Sequence, residues 1–466
     1  MRTISTSIRA AGDRRLVWAG SLFAGLVTAL IAGAADTPDS RPATHPTTAP
    51  SATKPTPQAA ALAAKLSSAD WRERDKAQQS LIALGEDAVA ALTDVQRNAP
   101  LDEARTAAAK ALKQIAEDRL IGPSQITLHL SDVPAQKAFE ELGRQSFAVL
   151  KPFPDTLWTD QAAGKKVTLD VERQPYWVVM RQLARDTGVE VGSINGEPRL
   201  IASEGQSSAS RFAISGPFMV IATQIHRSQS IDLLQADAAT EEDFNIQFSV
   251  LAEPKLKVLS ATTIAKLDQV VDDHGNSLLP DKQIDLAGDE DFISPNFGAE
   301  SSYSLSAWLK YPTKNPGRKI AKLRGSATFT VQVESEKLDV PLKSLRGTTR
   351  TFKGLPMTFG ELQKVGDNWQ LKISMAGNDQ HPAWDDLQNS IMSQLKVVDS
   401  KGQPLDHHGF GSGGGGAGTE ITVSFGTSHR PEDGRQSGEP ARVVWEIPTK
   451  TRALQVPFEF KDLKMP

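Results

Sequence analysis

Three histidines and a handful of carboxylates are the residues through which this chain could do metal chemistry. His407 and His408 are adjacent, and neighbours on an extended chain face opposite ways, so one of them could join His381 and Asp385 or Asp386 as a zinc or nickel set. Such a set would make the chain a metal-dependent hydrolase with its site on the C-terminal loops. No known motif places these ligands. A second cluster, Asp285, Asp289, Glu290 and Asp291, supplies hard oxygens of the kind Ca²⁺ takes, but without a recognised spacing it reads as a solvated acidic loop. The glycine-rich run from Gly409 superficially matches a dinucleotide fingerprint. The next segment, Glu420-Ile421-Thr422-Val423, is strand-like where a helix is required, so a flexible hairpin connection is preferred. Nucleophile-elbow, zincin and phosphate-loop patterns are absent. The expectation is a non-catalytic chain without a cofactor, with His381, His407, His408, Asp289 and Asp291 kept as candidate metal ligands.

Composition bounds the elements that must carry these residues. At 466 residues the chain exceeds one hydrophobic core, so about two to four domains are expected. With 52 Lys+Arg against 56 Asp+Glu and a net charge of -4, it offers no footprint for nonspecific nucleic-acid binding. The absence of cysteine excludes a thiol nucleophile, a disulfide framework and thiolate metal sites together. The 28 Pro and 34 Gly suit loop-rich β domains separated by linkers.

Arg2, Arg9, Arg14 and Arg15 precede an apolar stretch, and Ala32-Gly33-Ala34 is a small-x-small cleavage pattern, so residues 1–35 read as a signal peptide or an uncleaved signal anchor. Either way the rest of the chain lies outside the cytoplasm, in the periplasm or at the outer surface, and any membrane attachment is through this segment. Residues 36–57, with prolines at 38, 42, 46, 50, 55 and 57, read as an extended disordered tether.

Residues 58–119 show a helical period. Asp70 caps a helix carrying Trp71, Ala77, Leu81 and Leu84, and Gly85 stops it; Val89, Leu92 and Val95 mark a second helix. After Pro100, Ala104, Ala108, Leu112 and Ile115 mark a third. The run from Asp70 through Ala77, Leu81, Gly85, Ala88 and Leu92 resembles a HEAT-type helical repeat over about 60 residues. That resemblance implies a protein-interaction surface, with a small helical cap on the next domain as the plainer alternative.

The adjoining segment is duplicated. Ile126-Thr127-Leu128-His129-Leu130, Pro134, Leu142 and Arg144 return 41 residues later as Val167-Thr168-Leu169-Asp170-Val171, Pro175, Leu183 and Arg185. Each copy predicts a strand, a proline at a helix start and an amphipathic helix, and the second adds a hairpin around Asn195-Gly196. The segment 124–203 resembles the short N-terminal domain shared by secretins and TonB-dependent receptors. The resemblance implies a periplasmic βαβ recognition module without catalytic residues. Downstream there is neither a receptor barrel nor a secretin pore segment. His129 lies on the polar phase of its strand.

The C-terminal half is duplicated too. Val270-Val271-Asp272-Asp273-His274-Gly275 with Leu278 returns as Val397-Val398-Asp399-Ser400-Lys401-Gly402 with Leu405, and Leu338 to Leu342 returns near Leu454 to Phe458. Alternating stretches between these marks predict two tandem antiparallel, immunoglobulin-like β-sandwiches, 211–346 and 350–466. The expected fold is thus α+β and multidomain: a helical hairpin module, a duplicated βαβ module and two sandwiches. The expected role is a cell-envelope adaptor that binds a protein partner through the helical or βαβ module, with membership of a secretion or receptor assembly as the alternative.

Overall fold

The computed structural model describes residues 55–146, 150–194, 197–203, 211–231, 240–280, 302–376, 384–415, 418–427, 429–430 and 435–466. The expected signal segment, most of the tether, the Asn195-Gly196 turn, Asp285, Asp289, Glu290, Asp291 and His381 lie outside these residues. Within them the fold is α+β and rich in antiparallel sheet. No helix among the described residues is long and apolar enough to cross a membrane.

Four helices come first. Helix α1 (Pro57–Ala64) begins where the tether was expected to end, with Pro57 in its first turn and the Thr56 hydroxyl accepting from the Ala59 N–H at 3.3 Å. Helix α2 (Trp71–Leu84) is capped by the Asp70 carboxylate, which accepts the Arg72 N–H at 2.9 Å, and ends at Gly85 with φ 58°. Helices α3 (Glu86–Asn98) and α4 (Asp102–Ile121) complete a separate core of Ala59, Leu66, Ala77, Leu81, Leu92, Ala104, Ala108 and Ile115. The expected helical hairpin is therefore a four-helix unit: small alanine faces let α1 pack closely and close the core.

Next comes the module of the shorter duplication. Strand β1 (Gln125–Pro134) leads into α5 (Ala135–Ser146), the two-residue β2 (Lys151–Pro152), β3 (Lys166–Pro175), α6 (Tyr176–Thr187) and the hairpin β4 (Val189–Ile194) and β5 (Glu197–Ala202). The copies do not form the parallel pairs of a true βαβ unit. Strand β1 pairs antiparallel with β3, its own repeat, and His129 stands opposite Asp170, its own counterpart. Antiparallel pairing of equivalent strands about that point makes a local two-fold axis. The hydrogen bonds obey it: Ala135 N–H donates to Lys165 O while Tyr176 N–H donates to Ser124 O, both at 2.9 Å. Asp132 and Arg173, equivalent residues with φ of 55° and 47°, donate their N–H groups to the Thr168 and Thr127 hydroxyls respectively. The helices cover the inner face of this ribbon, and their core takes in Val189, Val191 and Leu200 of the hairpin. β2 joins the hairpin beside β5.

The described strands that follow build sheets that face one another across shared cores. Strands β6 (Phe212–Ser215), β7 (Phe218–Ile231), β8 (Thr240–Ala252) and β11 (Ser302–Trp308) form one sheet in the order β6-β7-β8-β11. β9 (Val258–Ala261), β10 (Lys266–Asp272) and the long β12 (Lys319–Pro341) belong to its partner sheet. The second copy repeats the order as β13 (Thr349–Phe352), β14 (Leu355–Val365), β15 (Asn368–Met375) and β18 (Gly418–Gly426), with β17 (Asp406–Gly415) added at the edge. In place of β9 it has helix α7 (Trp384–Gln394), followed by β16 (Lys396–Asp399); β19 (His429–Arg430) and β20 (Arg435–Gln436) form a small ribbon before β21 (Pro440–Lys464).

The two sandwiches are not successive in the sequence as expected. Strands β12 and β21 pair antiparallel from Lys319↔Lys464 to Pro341↔Arg442, so their back sheets are one sheet, β10-β12-β21-β16. The first core packs Phe218, Phe248 and Leu305 against Phe329 of β12 and Val456, Phe458 and Phe460 of β21. The second packs Phe359, Ile373 and Val423 against Leu338 of β12 and Val443, Trp445 and Ile447 of β21. Each long strand therefore serves both cores, and the expected division near 346–350 separates strands that the cores share. Register shifts at Gln332/Glu334 and Glu334/Ser335 lie where the strand passes from one core to the other.

Candidate functional site

The duplicated V-V-D-x-x-G turn, the most repetitive motif in the C-terminal half, has a structural role. Asp272 accepts hydrogen bonds from the N–H groups of His274, Asn276 and Gly317 and from the Asn276 side-chain amide, at 2.7–3.0 Å. Asp399 accepts from Lys401, Gln403 and Gly438 at 2.8–2.9 Å. Burial opposes the Asp272 charge, but the hydrogen bonds from Asn276, Gly317 and His274 outweigh it and hold the carboxyl below the usual carboxylate range. The Gly438 N–H leads the same downward shift at Asp399, against burial. These carboxylates pin β10 and β16 to the ends of the shared sheet, and Gly275 and Gly402, with φ of 84° and 80°, make the turns possible.

Of the three candidate histidines, His407 and His408 lie among the described residues, both on β17. His407 pairs with Phe425 in the β17–β18 ladder, and its ring meets the Phe425 ring edge-on at 5.3 Å. Burial, helped by the neighbouring His408, pushes its imidazole below the usual range. His408 falls at a register shift, places Nδ1 2.9 Å from Asn368 Oδ1 and lies over Gly426, where a Cβ would collide with its ring. Asp386, one of the two aspartates offered to complete the set, is paired with Lys353. Among the described residues no group of three or more His, Asp or Glu side chains could hold a metal ion. His129 is exposed, with Nδ1 2.6 Å from Asp170 Oδ1.

A polar junction ties the duplicated module to the first sandwich. Glu253, just after β8, is 1% exposed and accepts from the Ser124 N–H at 3.1 Å and from the Ser124 hydroxyl at 2.7 Å. Burial raises its carboxyl above the ordinary range, against the pull of Lys255 3.6 Å away and the Ser124 bonds. Trp177 Nε1 donates to Pro217 O at 3.0 Å, and Met219 and Leu251 of the sandwich join the module core.

A cleft opens at this seam. It has a volume of about 240 Å³ and lies between α6, β4, β6 and β7. Met180, Ala184, Val191, Met219 and Ile221 give it apolar walls. Three charged groups line it: Arg181, Arg211 and Glu190. The Arg181 guanidinium stacks on Phe212 with its carbon 3.5 Å from the ring centroid. Burial lowers its affinity for the proton, Glu190 counteracts that, and Arg185 and Arg211 add to it. Nothing in the sequence marked this place. Arg181 sits on the polar phase of an ordinary amphipathic helix, and Phe212 arrives from another domain; only the expected helix in α6 and its packing on a neighbour could have raised the question.

Comparison with family models, with curated proteins and with solved structures finds no match. The functional reading therefore rests on the residues and their arrangement.

Proposed function

We propose that the chain is a non-catalytic binding or adaptor protein of the cell envelope whose duplicated module, 124–203, recognises a protein partner. One observation carries the reading: the two seam features that join the module to the sandwich, Ser124–Glu253 and Trp177–Pro217, leave the opposite, two-stranded face of the module solvent-exposed. The resemblance to the short N-terminal domain of secretins and TonB-dependent receptors favours the same assignment, and the apolar run at 16–35 favours export. The helical unit and the sandwiches then hold the module in place, with Lys450–Glu117 at 2.6 Å and Arg452–Asp118 at 3.1 Å joining α4 to β21.

Deleting the module would strip Met219 and Leu251 of their cover, so the test is made with the chain intact. A photo-crosslinking residue is placed at His129 or at the exposed Phe153 of the module, and at Ile231 or Val365 of the sandwiches, and the full chain is irradiated in envelopes. Adducts with one defined protein from the module positions alone support the proposal; adducts from the sandwich positions alone overturn it.

A further inference from the structure

The same close stacked-arginine geometry occurs twice among the described residues, and the two differ in what completes the cation. Arg227 lies 3.4 Å from the centroid of Tyr311 and donates through Nε to Glu242 at 2.8 Å, so both its face and its edge are engaged. Arg181 lies 3.5 Å from the centroid of Phe212, but among the described residues its edge has no hydrogen-bond acceptor and no ion pair. Glu190 acts on it only through its field. The unfilled edge borders a cleft with apolar walls, and Arg211 adds a second positive charge against the single negative charge of Glu190. A guanidinium fixed by stacking, partly dehydrated and without an acceptor is pre-organised for a carboxylate, because little rotamer freedom remains to be lost when it binds one.

We propose that the cleft between α6 and β7 binds the carboxylate of a small amphipathic molecule, its charged end on Arg181 and Arg211 and its apolar body against Met180, Ala184 and Met219. This is independent of the protein partner assigned to the outer face of the module. The carboxylate could belong to a free short-chain acid or to the end of a peptide, and the probes separate the two.

Binding of hexanoate, hexanamide and hexylamine to the full chain is measured by calorimetry or saturation-transfer NMR at low salt. Hexanoate is expected to bind best and hexylamine worst, with about a tenfold or greater spread, as charge-assisted bonding to a guanidinium requires. Arg181→Met weakens hexanoate about tenfold and erases its advantage over the amide. Glu190→Gln strengthens hexanoate by about two- to fivefold, since it removes the opposing charge, an effect no purely structural role of Glu190 gives. Ala184→Phe fills the cleft and abolishes binding while the melting curve shows the chain still folded. N-acetyl-leucine against its amide forms the second arm: a stronger preference for the acid than hexanoate shows identifies a peptide end, and a weaker one a free acid. Equal binding of the three hexyl probes, or hexanoate affinity unchanged in Arg181→Met, overturns the proposal.

Discussion

The two duplications in this chain solve one geometric problem at different scales. In the module, β1 meets β3, its repeat, about an axis at His129 and Asp170; in the sandwiches, β12 meets β21, its repeat, about an axis near the register shifts just past Gln332. In both, a strand pairs antiparallel along one edge with its own copy. What differs is the number of cores. The module axis falls on an exposed histidine–aspartate pair, and both halves, with Leu128 and Val167 on either strand, close a single core; the larger axis is flanked by Phe329 and Val331 on one side and Leu338 and Trp445 on the other, which belong to two cores. The module's halves meet in one core, whereas the sandwiches keep separate cores and share the strands that run through both.

That contrast can be broken most directly at β21. Ending the chain at Gln455 removes Val456, Phe458, Phe460 and Leu463 from the first core, although the expected boundary would assign them to the second. Several buried large side chains at about 2–5 kcal/mol each exceed the stability of an ordinary domain, so the first sandwich should lose its cooperative unfolding transition in calorimetry. Retention of that transition would show that the shared sheet is dispensable.

A smaller effect separates the two copies of the turn. A Cβ on Gly317 would sit 2.2 Å from Asp273 Oδ1, a carboxylate held by the Arg318 and Lys319 N–H groups, whereas a Cβ on Gly438 finds its nearest atom at 3.4 Å. Gly317→Ala should therefore cost about 1–3 kcal/mol and Gly438→Ala well under about 1 kcal/mol by urea unfolding. Acid tests the same turns. Because Asp272 and Asp399 have depressed folded pKa values, their contribution is complete above the unfolded value of about 4 and is lost as pH falls through the folded values. Glu253 has the opposite sign: its raised value gives a contribution that is present at low pH and disappears as pH rises above about 4.5. Asp272→Asn should flatten the acid limb of a melting-temperature profile and Glu253→Gln should flatten the limb above it.

In the module the symmetry predicts equality. Thr127→Val and Thr168→Val each remove the acceptor for one strained backbone N–H, and each should lower stability by about 1 kcal/mol, to within a few tenths of one another. His129→Ala, at the centre of the axis but exposed, should change it by less than about 0.5 kcal/mol.

Much of this was legible in the sequence. Asp70 and Gly85 bounded α2, the prolines at 134 and 175 marked the starts of α5 and α6, and both repeats were visible as strings. Periodicity reports which face of a strand is buried, so Phe329 and Trp445 could be placed in cores. It does not report which core, because pairing partners are chosen by register across long loops, and β21 alternates equally well against either sandwich. The site was less legible still. The adjacent histidines drew attention because their types can do chemistry, yet Phe425 and Asn368 hold them; the cleft depends on Arg181 and Phe212 meeting across a domain seam that no local pattern records.

The sharing of β21 also has a consequence in time. Phe248 can meet Phe458 and Phe460 only after roughly two hundred intervening residues have been made and threaded into place. Non-local strand pairing of this kind is slow. While a nascent chain waits for it, β7 and β8 have one apolar face without its cover, so the first sandwich should stay open to chaperones until nearly all of the sequence has emerged.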